Sequence, residues 1–239
     1  MTSHQEKSLP FHADTALGQI AVALPGATAI FRRLKLDYCC GGQISLRQAA
    51  AAKELDPEAI LRELNTLQRS STAPTTQDAG TLIEHILERY HAVHRLQLPE
   101  LVTMARRVEA VHRDHPDVPA GLAHLLANME EELISHMAKE EQVLFPMLRA
   151  GGNAFVVHPI TMMRTEHVDH GHALDELAIL THDMTPPDDA CTTWRALYAG
   201  IGQLREDLIN HIHLENNVLF PMFESSAATQ PPSTCACGG

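Results

Sequence analysis

Basic residues are scarce in this 239-residue sequence: 18 Lys plus Arg stand against 30 Asp plus Glu, a formal net charge of −12. So acidic a chain repels phosphate backbones, and no local basic patch offsets the imbalance, so nucleic acid is excluded as a partner. Long apolar runs are missing too. The longest near the N-terminus, Ile20 to Leu24, is stopped by Pro25, far short of the ~20 residues a membrane span needs. No basic start followed by an apolar stretch marks a secretory leader, and a cytoplasmic protein is expected. Aromatic residues make up only 4% of the chain, and alternating β-branched or aromatic runs are absent, which argues against sheets. Five cysteines in such a chain make no disulfide framework; reduced thiols, a metal site or redox chemistry fit better.

What is present is helical. Hydrophobic residues at 44% suffice for a core, and Ala, Leu, Glu, Gln and Arg recur at helical spacing. Leu17, Ile20, Ala21 and Leu24 form a short amphipathic segment ended by Pro25–Gly26. A second helix, Ala27 to Leu36, runs into DYCCGG (Asp37 to Gly42), where two glycines force a turn. Ser45 is placed to cap a third helix, and Asp56–Pro57 to start a fourth. Residues 1–68 thus form a small helical domain, 69–80 a polar linker, and 225–239 a disordered tail. Between them, 81–224 carries four long helical stretches, about Thr81–His112, Pro119–Arg149, Pro159–Asp183 and Asp189–Glu224. The breaks are short and rich in Pro or Gly, so the expected fold is all-α, an up-down-up-down four-helix bundle behind a small helical domain.

The bundle contains an internal repeat. HMAKEEQVLFPM (His136 to Met147) matches HIHLENNVLFPM (His211 to Met222), with seven of twelve positions identical. Upstream, HAVHRLQLPEL from His91 matches HVDHGHALDEL from His167, with both histidines of each pair aligned. Two copies of one helical hairpin imply a pseudo-two-fold axis, and a site on that axis receives each group twice. His136 and Glu140 are four residues apart, as are His211 and Glu215, so each pair projects from one stripe of its helix. That stripe is apolar: Leu133, Met137, Leu144 and Met147 surround the first pair, and Leu208, Ile212, Leu219 and Met222 the second. Leu87, His91, His94, Leu98 and Leu101 share a stripe on the first helix, as do Met163, His167, His170, Leu174 and Leu177 on the third.

Ionisable groups aimed into a core are costly unless paired or coordinated. One such His is commonly a hydrogen-bonded core residue; His on four helices, with Glu one turn away on two, points to metal. Four imidazoles and two carboxylates are too many for one tetrahedral zinc, and hard cations want mostly oxygen. The set suits two first-row ions bridged by Glu140 and Glu215, with iron ahead of manganese and zinc. Spacing leaves His91 or His94, and His167 or His170, open as ligands.

These motifs resemble known proteins. The part from Leu82 to Phe223 resembles a hemerythrin-like bundle. From Leu17 to Glu224, the chain resembles the iron–sulfur cluster repair di-iron family, also called the repair of iron centres family. That family joins a small domain carrying DYCCGG to a bundle with HMxKEExxLFPM and HxxLENNVLFP. The resemblance implies His91, His136, Glu140, His167, His211 and Glu215 as ligands of two non-haem iron ions with oxo and carboxylate bridges. It implies repair of iron–sulfur proteins damaged by nitrosative and oxidative stress, through iron donation or nitric oxide reduction, and association of two chains through the small domain. An alternative is a module that binds or senses oxygen or nitric oxide without turnover. Oxygen-carrying hemerythrins have two further ligands where this chain has Gly171 and Asn216, so the irons are expected to be more open to small molecules.

Further candidates surround the ligands. Glu132 and Asp207 each lie four residues before a ligand His and are candidates to orient the imidazoles. Glu166, beside His167, is a candidate to move protons at the metal centre; it aligns with Tyr90, so the two copies differ there. Lys139 and Glu141 read as surface residues. Cys39 and Cys40, adjacent in the DYCCGG turn, are candidates for redox exchange, for accepting nitrosyl groups or for holding a transferred iron. Cys191 sits near a helix start, and Cys235 and Cys237 form a C-x-C in the tail.

Overall fold

A computed structural model describes residues 11–24, 26–68 and 78–227. Most of the expected linker, and the tail from 228 with Cys235 and Cys237, lie outside the described residues. The chain divides into two compact units, residues 1–76 and 77–239.

The first unit contains α1 (Leu17–Ala23), α2 (Ala27–Arg33), α3 (Leu46–Ala52) and α4 (Pro57–Gln68). Leu17, Ile20, Phe31, Tyr38, Leu46 and Leu64 are its most deeply buried large side chains, each worth ~1.5–3 kcal/mol of burial. Ser45 caps α3 in a reciprocal box: its hydroxyl accepts from Gln48 N, and Gln48 Oε1 accepts from Ser45 N. The Asp56 carboxylate accepts from Glu58 N at 3.0 Å and opens α4, with Pro57 in its first turn. α2 stops at Arg33, short of the expected Leu36. Lys35 turns to φ 53°, and Leu36 N donates back to Phe31 O at 2.9 Å, closing the end carbonyls.

The second unit is the four-helix bundle. Its first helix runs through α5 (Ala79–Ile86), a π turn at Leu87–His91 and α6 (Ala92–Val111). The second runs through α7 (Leu122–Lys139), a π turn at Glu140–Leu144 and α8 (Phe145–Arg149). The third, α9 (Val157–Leu180), is unbroken; the fourth runs through α10 (Thr192–Leu214), a π turn at Glu215–Leu219 and α11 (Pro221–Ala227). Asp78 accepts from Thr81 N at 3.1 Å and starts the first helix at Ala79, inside the expected linker. α6 packs on α7 and α10, and α9 packs on the same two, so consecutive helices are antiparallel neighbours around one core. Gly200 lets α10 approach α6: an added Cβ would lie 2.7 Å from Leu101 Cδ2. No helix among the described residues is long and apolar enough to cross a membrane.

At one end Leu82, Ile83, Ile86, Leu144, Leu148, Ile160 and Leu219 close a dry cluster together with Phe145 and Phe220. The two phenylalanines come from the duplicated LFPM motif. Phe145 stacks on His91, with centroids 5.7 Å apart, and Phe220 on His167 at 6.1 Å. The repeat therefore presses one apolar ring against one imidazole in each half.

Candidate metal centre

Three of the four helices widen into a π turn where they reach the centre. His91 ends the first such turn, Glu140 begins the second and Glu215 the third. In the last two the following proline explains part of the distortion. Pro146 and Pro221 have no N–H to give, and the wider turn bonds Phe145 N to Glu140 O and Phe220 N to Glu215 O instead. The π turn also lets two consecutive side chains address one ring. Glu140 Oε2 stands 3.3 Å from His91 Nε2, while Glu141 Oε1 accepts from His91 Nδ1 at 2.7 Å.

The centre consists of two four-residue groups, His91–Glu140–His211–Glu215 and His136–Glu140–His167–Glu215, all buried. The carboxylates belong to both. Glu140 directs Oε2 to His91 and Oε1 to His136, the latter at 3.4 Å. Glu215 directs Oε1 to His211 at 3.2 Å and Oε2 to His167 at 3.1 Å. Nε2 atoms meet within each group, His91 to His211 at 3.2 Å and His136 to His167 at 3.1 Å. His94 and His170 are also buried but stand outside both groups, their rings 5.5 Å from His211 and 5.0 Å from His136.

The outer ring nitrogens explain why the inner ones are free to bind. His136 Nδ1–H donates to Glu166 Oε2 at 2.8 Å, and His167 Nδ1–H to Asn216 Oδ1 at 2.9 Å. A carboxylate only accepts, so His91 and His136 carry a proton on Nδ1, and Nε2 is the nitrogen that aims a lone pair inward once the ring is neutral. With the rings neutral, facing lone pairs beside two carboxylates with no exposed surface repel each other unless cations lie between them; in the metal-free protein the proton on His136 supplies part of that charge. Both oxygens of Glu140 and Oε2 of Glu215 lack a hydrogen-bond donor. Donor separations of 3.1–3.4 Å are the edges that ligands at ~2.1 Å make around one ion. The residues fit a pair of metal ions.

The same field sets the protonation of the metal-free groups. Burial and the charge of Glu215 push the Glu140 carboxyl up, but the imidazoles of His136 and His91 outweigh them and hold it below the ordinary range. Burial opposes the His136 cation, yet Glu140, Glu215 and Glu166 carry it up to about 9. Burial, with the charges of the ligand histidines, drives His94 and His170 down to about 3, so both stay neutral.

Several expectations need correction. Glu132 is exposed on α7, on the wall of a cavity of about 570 Å³ that Glu131, Lys139, Glu166, Asp169 and His170 also line. The place at His136 Nδ1 belongs to Glu166 from the neighbouring helix, so Glu132 does not orient the ring. Asp207 is buried but engaged by Arg89 at 2.6 Å. Glu141 and Lys139 are not bystanders: Glu141 holds His91 and is itself held by Arg95 at 2.8 Å, and Lys139 pairs with Glu166. A sequence signal for Glu141 existed, since it aligns with Asn216 in the repeat.

In the first unit, Asp37, Cys39 and Cys40 form a cluster with ligand atoms within 4.8 Å. The Asp37 carboxylate builds the turn, Oδ1 accepting from Cys39 N and Cys40 N at 3.1 and 2.9 Å, and Oδ2 from Gly41 N at 2.8 Å. The turn was expected from a pair of glycines, but neither has positive φ. Gly41 is needed for another reason: a Cβ there would lie 2.9 Å from Asp37 Oδ2. The two sulfurs are 3.6 Å apart, and Cys40, burial and Asp37 hold the Cys39 thiol well above its ordinary value. The Cys39 thiolate is therefore disfavoured in this turn. Asp37→Ala frees three backbone donors, and a loss of ~1–2 kcal/mol is expected in urea denaturation. Faster alkylation of Cys39 and Cys40 should accompany it.

Fold and centre together define a hemerythrin-type cation-binding bundle, and residues 82–223 match the hemerythrin HHE cation binding domain. Residues 13–68 match a domain of unknown function, DUF542. Over 214 residues the chain is 49% identical to the iron–sulfur cluster repair protein YtfE of Citrobacter koseri, covering 87% of this chain and 96% of that one. It is also 49% identical over 212 residues to YtfE of Escherichia coli O157:H7, covering 88% and 96%. The chain belongs to the hemerythrin-domain family of iron–sulfur cluster repair proteins.

Proposed function

We propose that this protein repairs iron–sulfur clusters damaged by nitrosative and oxidative stress, using two iron ions held by His91, His136, Glu140, His167, His211 and Glu215. The carrying observation is that Glu140 and Glu215 each split their two oxygens between two histidine pairs, as carboxylates that bridge two cations would. Bound there, iron supplies redox chemistry toward nitric oxide and a store that can be passed to a damaged cluster. The chain's own residues do the rest. Glu141, Glu166 and Asn216 fix three imidazoles with the proton on Nδ1, so that Nε2 is the nitrogen offered to a metal. Phe145 and Phe220 exclude water from one side. Glu166, shared between His136, Lys139 and the acidic cavity, is held ionised against burial by those two partners and is positioned to accept a proton from His136 Nδ1 and pass it to the cavity. Cys39 and Cys40 offer soft ligands for nitrosyl or iron, and the partner is the damaged iron–sulfur protein.

The test uses the iron-loaded full chain and an iron–sulfur enzyme inactivated by nitric oxide. Restored enzyme activity, absent with Glu140→Gln, is expected. No restoration at full iron loading overturns the reading. Nitrous oxide release in a single turnover with reductant supports nitric oxide reduction, whereas a stable nitrosyl adduct without restoration assigns the protein to sensing.

A further inference from the structure

The two halves of the centre are not held equally. Each ligand imidazole needs an acceptor on its outer nitrogen to fix its orientation and strengthen the metal bond. Three have one: His91 on Glu141, His136 on Glu166 and His167 on Asn216. The fourth does not, since His211 Nδ1 is buried without a hydrogen-bond partner. The repeat shows why. Glu166, the residue before His167, reaches across to His136. The corresponding residue before His91 is Tyr90, which instead lays its ring flat on His211, with centroids 5.3 Å apart and planes 2° apart. The carboxylate one turn before His211, Asp207, is engaged by Arg89, whose guanidinium also covers the Tyr90 ring at 5.1 Å. Stacking holds the imidazole in place but draws no proton density from it, so His211 is the weakest donor of the four.

We propose that Tyr90 makes the ion bound by His91 and His211 the one released first, while the ion bound by His136 and His167 is retained. Tyr90 is a positioning residue: it acts through His211 and touches no metal. The inference rests on the reading that two iron ions occupy the two groups, and adds which of them is the transferable one. Loss of an outer acceptor typically weakens metal binding by ~10–100-fold, so the two ions should separate by about that factor in release.

The experiment follows iron release from the fully loaded full chain to a chromogenic chelator. Two equal phases, separated ~10-fold or more, are expected for the parent. Tyr90→Glu, which copies Glu166 into the first hairpin, should slow the fast phase toward the slow one. Glu141→Gln should speed the fast phase alone, and Glu166→Gln the slow phase alone. Failure of Tyr90→Glu to fold or load leaves the two Gln variants to decide the assignment. One phase for both irons in the parent overturns the proposal, as does a reversed response of the Gln variants. These readouts are independent of cluster repair, so a failed repair assay leaves the release order standing, and a failed release order leaves repair standing.

Discussion

Glu140→Gln is expected to cost the protein both metal ions at once, although only one side chain changes. Its two oxygens face different histidines, His91 at 3.3 Å and His136 at 3.4 Å, so each group loses one of its two anionic oxygens and keeps only that of Glu215. The amide has the same shape but no charge, and its NH₂ points two hydrogens at lone pairs that should bind a cation. Even outer acceptors of ligands are worth ~10–100-fold in affinity, so a lost bridging oxygen should cost on the order of 100-fold or more at each position. Metal analysis after dialysis against limiting iron(II) should therefore find less than about one ion per ten chains. The comparison is His167→Gln, which removes a donor from one group only and should leave the ion between His91 and His211. One full ion retained by Glu140→Gln would mean that each carboxylate serves a single position. The substitution relieves the repulsion from Glu215 but also removes the stronger attraction to His136 and His91, so the metal-free chain should lose some stability, and circular dichroism beside the metal analysis separates unfolding from lost ligation.

Much of this arrangement could be read before any coordinates. Four helices with short loops, the Ser45 cap and the duplicated H-x₃-E all follow from periodicity and local capping, which depend on residues close in sequence. Contacts across helices were harder. Glu141 reads as a surface residue in the sequence, and a regular helix that turns Glu140 inward would carry the next side chain about 100° away. The π turn breaks that rule and brings both to His91. Its trace in the sequence was the proline of LFP, which two of the three π turns carry; Leu87–His91 has none and was invisible. Glu132 failed for the complementary reason. A residue four positions before His136 lies one turn away on the same helix, whereas the outer nitrogen of the ring faces the neighbouring helix, where Glu166 waits. The aligned pair Glu166 and Tyr90 was already visible as a difference between the copies, but that it leaves one imidazole without an acceptor needed the packing. In the small unit, glycine was credited with a turn that the Asp37 carboxylate makes, because sequence patterns record glycine's freedom and not the space a Cβ would have needed.

Metal affinity is expected to rise with pH across the range in which many proteins are indifferent to it. In the metal-free protein burial opposes the charge on His136, but Glu140, Glu215 and Glu166 raise it to about 9 from an ordinary 6.5. A histidine raised on folding stabilises the folded chain below about 6.5, and that contribution is lost as pH rises through about 9. The proton and the metal compete for the same imidazole. Each pH unit between these values should strengthen binding by about tenfold for the one proton displaced, on the order of 100-fold across the range. His94 and His170, neutral down to about 3, add nothing to this slope. Chelator competition at fixed free iron(II), from pH 6.5 to 9, reads the affinity directly. Thermal melts should move in opposite senses, the metal-free Tm falling with pH while the gain on adding metal grows. Glu166→Gln removes one of the charges that raise His136 and should flatten the slope. An affinity independent of pH would mean that His136 is already neutral at 6.5, and that the two glutamates are balanced by something other than the imidazoles facing them.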